Sequence, residues 1–201
     1  YFNMAQEICM QDKVEHMMQF VSVDAWGKRA EYIRNGLDFN YMMDNVEEFL
    51  ERIPGRNSIT FICTYNNLSI TSMDQLLKKI LELRAKYSTT YQRIWFDVPL
   101  LRQPTWQQIT LLPESYQIIH EENIEYMQKH CGNDRGYSKF NDFEIQKMQR
   151  NLAYWRENAD ASTQNKKNFY AFFNEHDRRR LTRFLNTFPE MEEFWEECRN
   201  V

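Results

Sequence analysis

Three apolar stretches in the first part of the chain are predicted to be parallel β-strands. They cover residues 16–24, 58–66 and 92–100, and each gap between them is long enough to hold a crossover helix. Parallel neighbours need crossovers of a dozen or more residues, and alternation of strands with helical segments favours a parallel sheet. The pattern therefore predicts an α/β fold made of parallel β/α units over residues 1–130.

Apolar residues recur at helical spacing between these strands. The first set is Met42, Val46, Phe49, Leu50 and Ile53, and the second is Leu76, Leu77, Ile80, Leu81 and Leu83. Pro54 is expected to end the first helix, and Ser72 with Gln75 predicts a capping box at the start of the second. A third helix is expected to begin at Pro113, a residue favoured in the first helical turn.

Beyond a linker expected at residues 131–136, the pattern is helical to the end of the chain. The apolar positions of this part are Ile145, Met148, Leu152 and Trp155, followed by Phe169, Phe172, Phe173, Phe184 and Phe188. Their spacing predicts amphipathic helices. The sequence thus divides into β/α units over residues 1–130 and an α-helical C-terminal extension over residues 131–201.

Side-chain alternation predicts that each strand becomes polar on one face near its carboxyl end. The residues on that face include Ser22, Asp24, Thr64, Asn66, Arg93, Trp95 and Asp97. Helices are expected on the opposite face, which carries Val21, Phe61 and Phe96. A parallel strand covered on both sides is apolar on both faces, so a polar face predicts a lined cavity, as inside a barrel.

Composition excludes several classes of function. The 201 residues are 42% hydrophobic and 15% aromatic, which is enough to bury a core. The net charge of -4 offers no field for holding nucleic acid, and no apolar run reaches membrane-spanning length. Cys9, Cys63, Cys131 and Cys198 are scattered without a CxxC pair, which predicts no metal site and a reducing, cytoplasmic location.

Three segments resemble, in this order, motifs of the radical SAM superfamily, and in particular of its group with SPASM or twitch-type C-terminal extensions. The segment VSVDAWGKRAEYIR resembles the motif of that family's fourth strand, FICTYNNLSI its fifth strand, and RIWFDVPLLRQPTWQQITLLP its sixth. The tail HDRRRLTRFLNTFPEMEEF resembles the helical end of some members. The resemblance implies a partial (β/α)6 barrel that binds S-adenosylmethionine and, through a [4Fe-4S] cluster, generates a 5′-deoxyadenosyl radical.

The resemblance also implies roles for individual residues. The cofactor-binding positions would be Ser22, Asp24, Arg34, Thr64, Asn66, Val98 and Leu100. Arg34 would pair with the methionyl carboxylate, because a guanidinium binds a carboxylate through two hydrogen bonds. Ser22 and Asp24 would face the ribose or amino-acid end. Thr64 and Asn66 would line the nucleoside, and Val98 and Leu100 would flank the adenine.

Trp95 and Asp97 remain as candidates for contact with a substrate of unknown class, for which a peptide is one option.

The chain departs from this family at the cluster. It contains no CxxxCxxC segment, so the resemblance places the cluster ligands outside this chain. We therefore expect a C-terminal part of such an enzyme, inactive by itself. A half-barrel would expose Phe20, Ile62 and Trp95, and we expect either a homodimer through this surface or residues 1–14 folded over it.

Each candidate residue also has a structural interpretation. Ser22 and Asp24 could cap the turn that follows them, Arg34 could pair with a surface carboxylate, and Asn66 could serve only a turn. Two other functions therefore stay open. One is a nucleoside-binding α/β module without catalysis, and the other is an interaction protein that docks a partner through its aromatic C-terminal helices.

Overall fold

The computed structural model describes residues 1–11, 13–53, 55–132 and 137–201. Within these residues, three strands form one parallel sheet in the order β1-β2-β3: β1 is Met18–Ser22, β2 is Ser58–Ile62 and β3 is Ile94–Asp97. The prediction of parallel, adjacent strands is confirmed. Each strand is shorter than its apolar stretch, because pairing beyond it is reduced to single contacts such as the bridge between Tyr65 and Leu100.

Helices connect the strands and make up the rest of the described fold. They are α1 (Phe2–Met10), α2 (Lys28–Ile33), α3 (Phe39–Arg52), α4 (Met73–Tyr87), α5 (Gln117–Lys129), α6 (Asp142–Glu157), α7 (Thr163–Arg180), α8 (Phe184–Thr187) and α9 (Glu192–Arg199). Short 3-10 turns precede α4, α5 and α9. The fold is therefore mixed α/β, as the sequence predicts. No helix among the described residues combines the length and apolar character needed to cross a bilayer.

Local side-chain contacts set several helix ends. Asp38 begins α3 by accepting a hydrogen bond from Tyr41 N at 2.9 Å. The helix ends at Arg52, while Pro54, the expected stop, lies outside the described residues. The capping box predicted at Ser72 is wrong, because the Ser72 hydroxyl instead accepts a hydrogen bond from Trp26 N at 2.9 Å and so holds the loop after β1 against the start of α4.

The helices lie on one face of the sheet. Phe61 and Phe96 are 0% and 5% exposed, and α3 and α4 contact β2 and β3 on that side. This confirms the face predicted for helix packing. Phe20 and Trp95 point the other way and are 57% and 40% exposed, so the opposite face is open. Helix α1 packs against α3 and leaves Phe20 uncovered.

The C-terminal part is helical, as predicted, and is built around aromatic rings. Phe169, Phe173, Phe184, Phe188 and Phe194 are at most 2% exposed and contact one another. Of the linker expected at residues 131–136, positions 133–136 lie outside the described residues. One hydrophobic cluster runs through both predicted segments, so the C-terminal helices share their core with the β/α units.

Candidate functional site

The register of the strands sets two rows of side chains on the open face of the sheet. The first row is Phe20, Thr60 and Trp95, and the second row, nearer the carboxyl ends, is Ser22, Ile62 and Asp97. Residues paired in register point to the same face of a sheet. The open face therefore presents an aromatic row beside a more polar row, and the second row borders the edge where parallel α/β sheets bind ligands.

An ion pair at this edge joins the loop after β1 to the end of α2. Arg34 donates from Nε to Oδ2 of Asp24 at 2.9 Å, and its Nη2 lies 2.7 Å from the same oxygen. The other oxygen, Oδ1, accepts from Thr64 N at 3.1 Å. Asp24 therefore links Arg34 to the residues that follow β2. Asp24 and Arg34 are ten residues apart in the sequence.

Asp24 and Arg34 have different roles in this pair. Both carboxylate oxygens of Asp24 are engaged, and the residue is 7% exposed. The Arg34 side chain is 39% exposed, and within the described residues no hydrogen bond of its Nη1 group is found. A guanidinium has five donors, so Nη1 can bind an anion while Nε and Nη2 stay on Asp24. Asp24 therefore holds the guanidinium of Arg34 in place, and Nη1 is the part of that guanidinium that can bind an anion.

Asn66 shapes the loop after β2. Its Oδ1 accepts from Leu68 N at 2.9 Å and its Nδ2 donates to Thr64 O at 2.9 Å, which is the geometry of an Asx turn. Because both ends of the amide are occupied and Asn66 is 8% exposed, its side chain already has its partners within the protein. Ser22 is exposed, and no hydrogen bond of its hydroxyl is found among the described residues.

Val98 and Leu100, the residues expected beside adenine, follow β3. Val98 is 3% exposed and belongs to the hydrophobic core, while its carbonyl accepts from Asn151 Nδ2 at 3.0 Å. Leu100 is partly buried and packs against the same core. Of the two, Leu100 is the side chain that remains accessible at the carboxyl edge.

Trp95 and Asp97, the substrate candidates, lie on the open face of β3. Asp97 Oδ1 is 2.5 Å from Lys147 Nζ and also accepts from Val98 N at 2.9 Å. Lys147 comes from α6 and was not singled out from the sequence. The sequence feature that points to Lys147 is a series of polar residues at helical spacing, beside the apolar stripe of α6. This series is Glu144, Lys147 and Asn151.

Another polar pair that the sequence did not reveal is formed by Tyr65, which follows β2, and His120 of α5. Both residues are buried. Tyr65 Oη is 2.7 Å from His120 Nδ1, and His120 Nε2 is 2.9 Å from Met148 O. A carbonyl only accepts, so Nε2 donates to it and Nδ1 accepts from Tyr65. Burial lowers the pKa of His120. The neutral ring therefore joins α5 to α6 as a structural element.

The cysteines do not form a ligand set for an iron–sulfur cluster. No group of three potential metal ligands occurs among the described residues. Cys63 and Cys198 are buried, and burial raises the pKa of both thiols, that of Cys198 to about 12. Cluster ligands must be thiolates, so the residues present do not fit this group.

The loop after β1 holds these groups in a fixed arrangement. Gly27 has φ of 58° and ψ of -131°, a conformation open essentially to glycine alone, and it turns the chain into α2. The carboxyl edge thus carries the guanidinium of Arg34, held by Asp24, and the exposed hydroxyl of Ser22. The groove beside β1 includes Ser22 among its lining residues, but not Asp24, Arg34, Thr64 or Asn66. Comparisons of the chain with protein-family models, with curated proteins and with solved structures find no match.

Proposed function

We propose that the carboxyl edge of the sheet binds S-adenosylmethionine and that the chain acts as the C-terminal part of a radical SAM enzyme. The observation that carries this proposal is the Asp24–Arg34 pair. It holds the Arg34 guanidinium, whose Nη1 has no hydrogen bond among the described residues, at the edge where parallel β/α units bind ligands. Arg34 would bind the methionyl carboxylate, and Ser22 would face the ribose or amino-acid end.

In this proposal the three strands form half of a (β/α)6 barrel whose lumen is the open face of the sheet. Support comes from the packing of α3 and α4 on one face of the sheet and from the exposed aromatic side chains of Phe20 and Trp95 on the other. Trp95 and Asp97 would contact a substrate of unknown class. Because the cysteines of this chain do not fit an iron–sulfur cluster, the ligands of that cluster would have to come from elsewhere, and no radical step is assigned to these residues.

The burial of the C-terminal aromatic rings bears on the alternatives. Those rings fill the core of the protein itself, so they offer little surface for docking a partner. The alternative, a nucleoside-binding module without catalysis, would use the same edge. It would recognise the nucleoside and not the methionyl carboxylate. If adenosine is the ligand, Arg34 has no carboxylate to bind.

Calorimetry with S-adenosylmethionine and adenosine tests the proposal. Arg34→Lys can keep a charge beside Asp24 but cannot hold Asp24 and a ligand carboxylate at once. Charge-assisted hydrogen bonds are worth about 1.5–3 kcal/mol, so the variant should bind S-adenosylmethionine about 10- to 100-fold more weakly. Adenosine, which has no carboxylate, should bind both proteins equally.

Arg178→Lys provides the matched control, because Arg178 lies on the exposed side of α7 and pairs with Glu175. This variant should bind S-adenosylmethionine like the unchanged protein. Absence of S-adenosylmethionine binding, or binding unaffected by Arg34→Lys, contradicts the proposal. Binding of adenosine with no added affinity for S-adenosylmethionine favours the module without catalysis.

A further inference from the structure

The two edges of the sheet differ in how their backbone groups are satisfied. On the outer edge of β3, Ile94 O accepts from Arg84 Nε at 3.1 Å and Val98 O accepts from Asn151 Nδ2 at 3.0 Å. Arg84 belongs to α4 and Asn151 to α6. Side chains of α4 and α6 therefore bind two outward carbonyls of this edge and cover part of it, which is a common way of protecting an edge strand.

The outer edge of β1 is open. Met17 O accepts from Ser58 N at 2.9 Å and Val23 N donates to Ile62 O at 3.0 Å, so odd-numbered residues of β1 face β2. Alternation along a strand then directs the backbone groups of Met18, Phe20 and Ser22 outward. Among the described residues, the hydrogen bond found to these outward groups runs from Gln19 Nε2 to Phe20 O, at 3.1 Å.

The strand also lacks the usual protection of an edge. Its sequence, MQFVS, contains neither a charged residue nor proline. Beside it lies a groove of about 810 Å³ between β1 and α3, floored by Val21, Val46, Phe49 and Ile59. Asp38 is the charged residue at this groove, and its carboxylate caps α3. The uncharged edge strand thus adjoins a groove with an apolar floor.

The edge and the groove also expose apolar surface that a partner can cover. Exposed apolar side chains at the edge and groove include Met18 (40%), Phe20 (57%) and Tyr41 (66%).

We propose that a second copy of this chain pairs antiparallel with β1 around a two-fold axis at Phe20. Met18 and Ser22 lie two residues on either side of Phe20, so the three outward positions are self-complementary. Phe20 lies opposite Phe20 of the second copy, and Met18 lies opposite Ser22. Each of these three pairs exchanges two backbone hydrogen bonds, about six in all, and the two sheets become one.

The β1 edge carries no charged side chain, so two copies of this negatively charged protein can meet there without like charges facing each other. The chain carries a net charge of -4, which opposes self-association over most of its surface. At β1 no like charges meet across the axis, and the α3 helices of the two copies come together with Tyr41 between them. The paired edge includes Ser22, which the proposed function assigns to the ligand, so the dimer is tested without S-adenosylmethionine. In a completed barrel a preceding strand would occupy this edge, and the proposal therefore concerns the present chain by itself.

Sedimentation of the full chain over a wide range of protein concentration tests the proposal. The unchanged protein should dimerise, and Phe20→Lys should raise the dissociation constant of the dimer at least about tenfold, because like charges then meet at the axis. Phe143→Lys is the matched control, since Phe143 is 61% exposed on α6, which packs beside β3 at the other edge of the sheet. This variant should leave the dimer unchanged. Circular dichroism establishes that both variants are folded.

Two further variants locate the interface. Trp95→Glu changes the open face of β3 and should leave an edge-to-edge dimer intact. Phe20→Cys should form a disulfide between copies under mild oxidation, because directly opposed Cα atoms lie about 5.5 Å apart, within the range of a disulfide. A monomer at every concentration, a dimer that survives Phe20→Lys, or a dimer lost with Trp95→Glu overturns the proposal.

Discussion

Arg84 and Glu144 form a buried ion pair between α4 and α6. Arg84 Nη2 lies 2.5 Å from Glu144 Oε1, and the two side chains are 0% and 4% exposed. Arg84 also donates to the carbonyls of Ile94 and Lys139, while Glu144 accepts from Asn141 N. The pair therefore joins the β/α units to the C-terminal helices and fixes α6 beside β3.

Glu144→Gln should destabilise the protein strongly. The substitution leaves the buried guanidinium of Arg84 without a counter-charge, and breaking a buried pair in this way costs about 3–5 kcal/mol. Urea unfolding measures the change. Glu175→Gln is the control, because Glu175 pairs with exposed Arg178 and Arg179 and should give no measurable loss. Equal effects of the two variants would show that burial of the first pair is not what matters.

Arg93→Lys should also be destabilising despite keeping the charge. Arg93 is 7% exposed and donates to Leu50 O at 2.9 Å, Ile53 O at 2.5 Å and Asn57 O at 2.9 Å, at the end of α3. A lysine cannot reproduce this planar fork, and each buried carbonyl left without a donor costs about 1–3 kcal/mol. We expect a loss of about 2–4 kcal/mol in urea unfolding.

Arg56→Lys is the control for this change, because Arg56 is exposed and lies 5.3 Å from the ring centre of Tyr91. It should alter the unfolding free energy by less than about 0.5 kcal/mol. If Arg93→Lys is equally harmless, the three carbonyls do not depend on Arg93.

Arg93 also shows a limit of side-chain alternation as a guide to function. The alternation groups it with Trp95 and Asp97 on the cavity face, but Arg93 precedes β3 and its guanidinium turns toward the end of α3. The expectation fails because its acceptors are backbone carbonyls more than 35 residues away in sequence, which no local pattern reveals. Inside the strands, where every residue is paired, alternation is reliable: Phe61 and Phe96 are buried under helices.

The same distinction applies to the candidate site. Asp24 and Arg34 belong to one β/α unit, so their contact depends on the packing of that unit alone. The contact between Asp97 and Lys147 depends on how α6 docks beside β3, across 50 residues of sequence. Contacts within a supersecondary unit follow from the sequence pattern, whereas contacts between distant units depend on packing of the whole core.

His120 should make stability depend on pH in a defined direction. Burial lowers its pKa below the unfolded value near 6.5. As pH falls through 6.5 toward the lower folded pKa, the unfolded chain binds a proton that the folded chain does not. The free energy of unfolding therefore decreases on acidification, with a slope of up to about 1.4 kcal/mol per pH unit for one such group.

Urea unfolding between about pH 5 and pH 7 measures this slope. His120→Gln should reduce it, because the variant has no imidazole at this position. His176, whose pKa is also lowered by burial, contributes in the same direction, so the variant lacking both imidazoles should show a smaller slope than His120→Gln. An unchanged slope in His120→Gln would mean that His120 binds a proton equally well in both states.

Ser22→Ala and Asp24→Asn separate ligand binding from anchoring of the loop. Asp24 joins Arg34 and Thr64 N, so Asp24→Asn should lower the unfolding free energy by about 1–3 kcal/mol. Ser22 is exposed, so Ser22→Ala should change the unfolding free energy by less than about 0.5 kcal/mol. If the carboxyl edge binds S-adenosylmethionine, Ser22→Ala should still weaken that binding, as calorimetry would detect. Full affinity in Ser22→Ala would remove Ser22 from the site, and full stability in Asp24→Asn would show that its two contacts do not anchor the loop.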